Sequence, residues 1–138
     1  MPNSIIAILA AGVAGWVAGA IWYGLLGKPW QRAQGLDPEA CKGQKMPLNL
    51  MLVTFLAALV MSAVVYHFVT GLGVFFGVTP SGIASTALPG LVLGIGLVWP
   101  AIMVNNLFQN RSFTLTVIDG GHWTVALAVE SIVVSLLA

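Results

Sequence analysis

The chain has 138 residues, 59% of them hydrophobic and only 7% charged, with a formal net charge of +1. Soluble domains carry roughly 25% charged residues, and a body this small cannot hide so much apolar surface from water. Lipid must therefore cover the outside, and a charge balance near zero excludes a nucleic-acid surface.

No Asp, Glu, Lys or Arg occurs from Met1 to Gly27, and none from Met46 to Asn110. A bilayer core takes about 20 apolar residues per helix, so these gaps supply one span and two spans. The first span is predicted from Ser4 to Leu26. No Lys or Arg precedes its apolar run, unlike the basic start of a cleaved signal peptide, so a permanent span is expected. Gly12, Gly15 and Gly19 share one face of it, and Gly15 and Gly19 form a GxxxG pair. Helices in lipid associate through such small residues. The same face leads on to Trp22, Tyr23 and Leu26.

The first connection, Gly27 to Pro47, is polar and holds Lys28, Arg32, Lys42 and Lys45. Within it Asp37-Pro38-Glu39 reads as an N-cap followed by Pro at the first helical position. A short amphipathic helix from Pro38 to about Gln44, lying on the membrane surface, is predicted. Cys41 is the only cysteine, so no disulfide forms within the chain.

The second span is predicted over 48–69, with Ala58 and Ser62 as small contact residues and His67 near its outer end. His67 reads best as a side chain resting at the interface. The connection from Thr70 to Gly82 has four Gly and no charge. The third span is predicted over 83–107 and carries Pro89 and Pro100. Each proline removes a backbone hydrogen bond and presses on the carbonyl four residues earlier, so a kink near Pro100 is expected. Pro89 either lies inside the span or marks its true start, with Thr79-Pro80-Ser81 opening a short preceding turn. Ala87, Gly90, Gly94 and Ala101 make this span's small-residue face, and the next turn brings Asn105. The fourth span is predicted over 113–137.

The fold class is thus all-α, a polytopic transmembrane four-helix bundle forming one domain over residues 1–138. The first and third connections hold all five Lys and Arg. Positive loops stay cytoplasmic, which predicts both termini outside. A bundle this small has a thin core, so homo-oligomerisation is expected.

Ionisable groups within a span are costly and point to function. The fourth span has Asp119, His122 and Glu130, at offsets of three and eight residues, all on one helical face. At about 1.5 Å rise per residue, Asp119 and His122 fall at the level of Trp22, Tyr23, Asn105 and Asn106, with Lys28 just below. Two readings of this layer compete. One is a binding pocket or proton relay, with His122 titrating and Asp119 setting its tautomer. The other is a polar clasp that locks helix ends. Glu130 lies deeper, as a candidate buried carboxylate that carries protons or binds a cation. A metal site needs three or four converging ligands, and Asp119 and His122 are two, so no metal is expected. No phosphate-cradling loop, nucleophile elbow or HExxH is present. Neither a cofactor nor a catalytic residue is therefore assigned, and enzymatic activity is the weakest hypothesis.

Three segments carry a resemblance. They are Gly19-Ala20-Ile21-Trp22-Tyr23-Gly24 continuing to Gly27-Lys28-Pro29-Trp30; Asn105-Asn106-Leu107-Phe108 followed by Arg111; and Asp119-Gly120-Gly121-His122. Their order and spacing resemble the small bacterial four-helix membrane proteins grouped as domain of unknown function 1761. The resemblance implies a single four-span module in the bacterial inner membrane and supplies no substrate. Its recurring residues coincide with the polar layer, and Glu130 is not among them. The polar layer is expected to serve a small transport or ligand-binding module, its small-molecule or ion ligand unknown. The alternative is an accessory membrane protein whose polar layer only locks helices and whose 27–47 loop recruits a partner.

Overall fold

The structure is a computed structural model that describes residues 2–77 and 81–138. Four helices in it are long and apolar enough to cross a membrane. We label them α1 (Pro2–Ala33), α2 (Leu48–Phe76), α3 (Ile83–Phe108) and α4 (Phe113–Leu137). Regular structure among the described residues is entirely helical.

α1 runs seven residues past the predicted end at Leu26 and passes straight through Pro29. Its stop is Gly35, in the left-handed region at φ 78°. The Leu36 N–H donates to the Gln31 carbonyl and the Gly35 N–H to the Arg32 carbonyl, the paired reverse bonds of a Schellman ending. α3 ends the same way. Asn110 takes φ 52°, the Arg111 N–H donates to the Asn106 carbonyl, and the Asn110 N–H donates to the Leu107 carbonyl. Ser112 then caps α4 by accepting from the Leu115 N–H at 3.3 Å. The Ser112 hydroxyl also donates to the Ala33 carbonyl at 3.0 Å. That bond ties the end of α1 to the start of α4.

The first connection departs from expectation. Residues 38–43 form successive turns rather than a helix. Asp37 Oδ1 does accept from the Glu39 N–H at 3.1 Å, but so short a helix is unstable alone. α2 is longer than its predicted 48–69, reaching Phe76, and is closed by Gly77 at φ 61°. The expected turn at Thr79-Pro80-Ser81 involves Thr79 and Pro80, which lie outside the described residues.

α3 contains both prolines. It begins at Ile83, so Pro89 is internal rather than the start. At Gly94–Val98 it widens into a π turn just before Pro100. A π turn adds one residue to the helical circuit. This shifts the face presented to α4. Up to its first residue, Thr86, Pro89, Gly90 and Gly94 are buried. Beyond it the inward positions are Trp99, Ile102, Met103 and Asn106, while Ala101 and Asn105 are exposed.

α4 is the hub. It packs on α1, α2 and α3, whereas α1 and α3 do not meet. α4 is the most buried span and α3 the least. Its buried face includes Leu115, Ile118, Ala126, Leu127 and Val134, and Ala7, Ala11, Ala58, Val65 and Val69 complete the core. The outward faces carry Ile5, Val13, Leu56, Val60, Ile95 and Leu97, all exposed. Surface this apolar needs lipid or another protein against it. Glycines set the closeness of packing. A side chain at Gly90 would strike the Leu127 carbonyl, one at Gly94 would meet Thr124, and one at Gly12 would strike Leu59 of α2. Polar bonds add to this. The Ser131 hydroxyl donates to the Thr86 carbonyl at 2.6 Å, and the Ser62 hydroxyl donates to the Ile8 carbonyl at 2.9 Å.

Candidate functional site

The seam between α1 and α4 gathers most of the predicted polar residues. α1 and α4 run antiparallel, so their faces meet position by position. Gly15 lies against Glu130, Gly19 against His122, and Tyr23 against Asp119. The glycines are what let these side chains in. At Gly19 a Cβ would sit 2.6 Å from His122 Nε2, and at Gly15 it would collide with the Glu130 carboxyl.

At one end of the seam, Asp119 anchors two donors. The Tyr23 hydroxyl donates to Asp119 Oδ1 at 2.7 Å, and Trp30 Nε1 donates to the same oxygen at 2.9 Å. Bonds to a charged acceptor are the stronger kind. Tyr23 and Trp30 also touch edge to face, with centroids 5.5 Å apart. Trp22 Nε1 donates to the Ile118 carbonyl at 3.0 Å, and its ring covers Gly121. Trp99 of α3 covers the other side of α4 at Gly120.

The His122 ring makes tilted contacts with Tyr23, centroids 4.9 Å apart, and with Trp123, at 4.6 Å. Its Nδ1 is buried and has no hydrogen-bond partner. Asp119 therefore does not fix the His122 tautomer by a direct bond; Asp119 is engaged by Tyr23 and Trp30. Two turns farther along, Glu130 is 2% exposed. Its Oε2 also has no partner. Asp119 is thus hydrogen-bonded, whereas His122 and Glu130 each keep a buried polar atom unmatched, which is costly.

Other predicted members fall elsewhere. Asn106 lies at the α3–α4 turn, where its Nδ2 donates to Thr116 Oγ1 at 3.0 Å. Asn105 is exposed, rotated off the inner face by the π turn. Lys28 is exposed and borders a shallow cleft of about 230 Å³ with Gln31, Pro38, Cys41 and Lys42. His67 is exposed, in edge contact with Tyr66 at 5.4 Å. Trp30 is the residue that the candidate set lacks. Its signal is a seven-residue spacing from Tyr23, two helical turns, readable only once α1 is carried through Pro29. Among the described residues no three His, Cys, Asp or Glu side chains converge as a metal site would require.

No curated protein and no solved structure gives a match to this chain. A family described as "Protein of unknown function (DUF1761)" matches residues 6–135. That match takes in α1 through α4 with the whole α1–α4 seam, and this chain, with four helices long and apolar enough to make it a multi-pass membrane protein, belongs to the DUF1761 family.

Proposed function

We propose that this protein is a small membrane transport or ligand-binding module whose working groups, His122 and Glu130, lie on the α1–α4 seam. Asp119 closes the polar end of that seam. The observation that carries this reading is Glu130, 2% exposed, with Oε2 unpartnered. A carboxyl in such a place costs stability. A bundle selected only for packing gains nothing from it, whereas a proton or ligand carrier needs it. Intramembrane ionisable groups that face the bundle interior commonly mark such pathways. His122, with Nδ1 also unmatched, is the next titratable group along the same face. In this reading the chain sits in the bacterial inner membrane, with the basic connections cytoplasmic and the exposed faces of α2 and α3 covered by lipid or by further copies.

The test is His122→Ala, scored for thermal stability in detergent and for proton flux in proteoliposomes. Stability within a few degrees of wild type with lost flux supports the reading. Lost stability, with no flux in either form, contradicts it.

A second reading is an accessory protein. It draws on the Asp119 bonds from Tyr23 and Trp30, which tie the end of α1 to α4, and on the Lys28–Lys42 cleft beside them. Here the polar layer only locks helices, and the 27–47 loop recruits the partner. Replacement of residues 34–47, the part of that stretch beyond α1, by Gly and Ser that leaves flux intact excludes it.

A further inference from the structure

The two donors to Asp119 converge on Oδ1. Oδ2 receives no hydrogen bond, and it is not among the fully enclosed unpartnered atoms. Asp119 also has no cationic partner; the ion pair among the described residues is Lys42 with Glu39, at 4.0 Å. A carboxylate is thus held in a fixed orientation at the polar end of the seam, with one oxygen open and its charge unbalanced. What surrounds it is aromatic. Trp30, Tyr23, His122 and Trp123 form a continuous run of ring contacts, at 5.5, 4.9 and 4.6 Å between centroids.

This composition selects the chemistry of a ligand. Small metal cations need several oxygen ligands in a shell. Here the groups bonded to the carboxylate are an indole N–H and a phenol O–H, both spent as donors on Oδ1, and an indole offers no acceptor. An organic ammonium group has the opposite needs. In its quaternary form it is weakly hydrated, it requires one counter-charge, and it is attracted to aromatic faces within about 6 Å. We propose that Asp119 Oδ2, beside Tyr23, Trp30 and His122, is the binding point for a quaternary ammonium ion. This rests on the reading of the seam as a ligand-binding path and names the ligand class. Tyr23 and Trp30 act as positioning residues, because their bonds fix which carboxylate oxygen is open.

The experiment is a titration of the full chain in detergent with tetraethylammonium chloride, read by tryptophan fluorescence. Sodium chloride at matched ionic strength is the control. The expected result is a saturable change with tetraethylammonium and none with sodium. Asp119→Asn should weaken the apparent affinity at least tenfold, and Lys45→Ala, exposed in the loop, should leave it unchanged. Should Asp119→Asn not fold, Trp30→Phe decides, with at least threefold weaker binding expected. No saturable change, an equal response to sodium, or unaltered affinity in the folded variant overturns the proposal. The readout is binding, not flux. Proton flux without tetraethylammonium binding would reject the ligand class and leave the seam standing. Binding without flux would do the reverse.

Discussion

Glu130 of α4 fits its carboxyl against the bare backbone of Gly15 in α1, in space that any side chain at position 15 would occupy. Four residues on, Gly19 makes the same room for His122. The GxxxG pair therefore serves α1 packing on α4, and its two gaps hold the two seam groups left with unmatched atoms. Gly12, although on the same stretch of helix, serves α2 instead, against Leu59 and Ser62.

This fit predicts coupling. Gly15→Ala should destabilise the protein by about 1–3 kcal/mol through overpacking. In a Glu130→Ala background the same change should cost much less, because the added methyl enters vacated space. A double-mutant cycle on thermal melts in detergent measures the difference. Additive costs would show that the two positions do not share that space.

The Asp119 clasp predicts a second coupling. Tyr23→Phe removes one bond to Asp119 Oδ1 and should cost about 1.5–3 kcal/mol, the range for bonds to charged groups. In an Asp119→Ala background, Tyr23→Phe should cost far less. Equal costs in both backgrounds would mean that the 2.7 Å bond contributes nothing to stability.

Adjacent asparagines should differ. Asn106→Ala removes the donor to Thr116 and should lower stability by about 1 kcal/mol. Asn105→Ala, exposed, should stay within about 0.5 kcal/mol of wild type. Reversal of that order would show that α3 continues past Gly94 without the π turn.

Two glycine substitutions should move in opposite directions. Gly90→Ala forces a methyl into the Leu127 carbonyl and should cost about 1–3 kcal/mol. Gly24→Ala meets open space in the middle of a helix and should be neutral or stabilising by up to about 1 kcal/mol. Melting temperatures of the two variants check both.

The membrane spans were legible because stretches without charge leave few physical options. Their ends were less so. Lys28 and Pro29 read as the exit of α1, yet the helix runs on to Ala33 and stops at Gly35. A proline at an exposed position costs one bond there without forcing an end. That extension is what swings Trp30 back onto Asp119. The predicted layer of Trp22, Tyr23, Asp119 and His122 comes together because periodicity and rise locate residues well along two straight helices. It fails for Asn105 because the π turn at Gly94–Val98 inserts a residue. Pro100 signals a disturbance at that point but not its form. Which polar atoms are left unmatched was not legible at all. It depends on Tyr23 and Trp30 both choosing Asp119, a matter of side-chain geometry rather than spacing.

The most direct test of the seam is proton flux into proteoliposomes under an imposed pH gradient, comparing wild type with Glu130→Gln. Gln keeps the shape of the side chain, removes its capacity to carry a proton and puts an amide NH2 in place of one oxygen. Expected are measurable flux in wild type, flux reduced to the level of empty vesicles in Glu130→Gln, and a melting temperature of the variant no lower than wild type. Equal flux in the two proteins, or a collapse of stability in the variant, would contradict it.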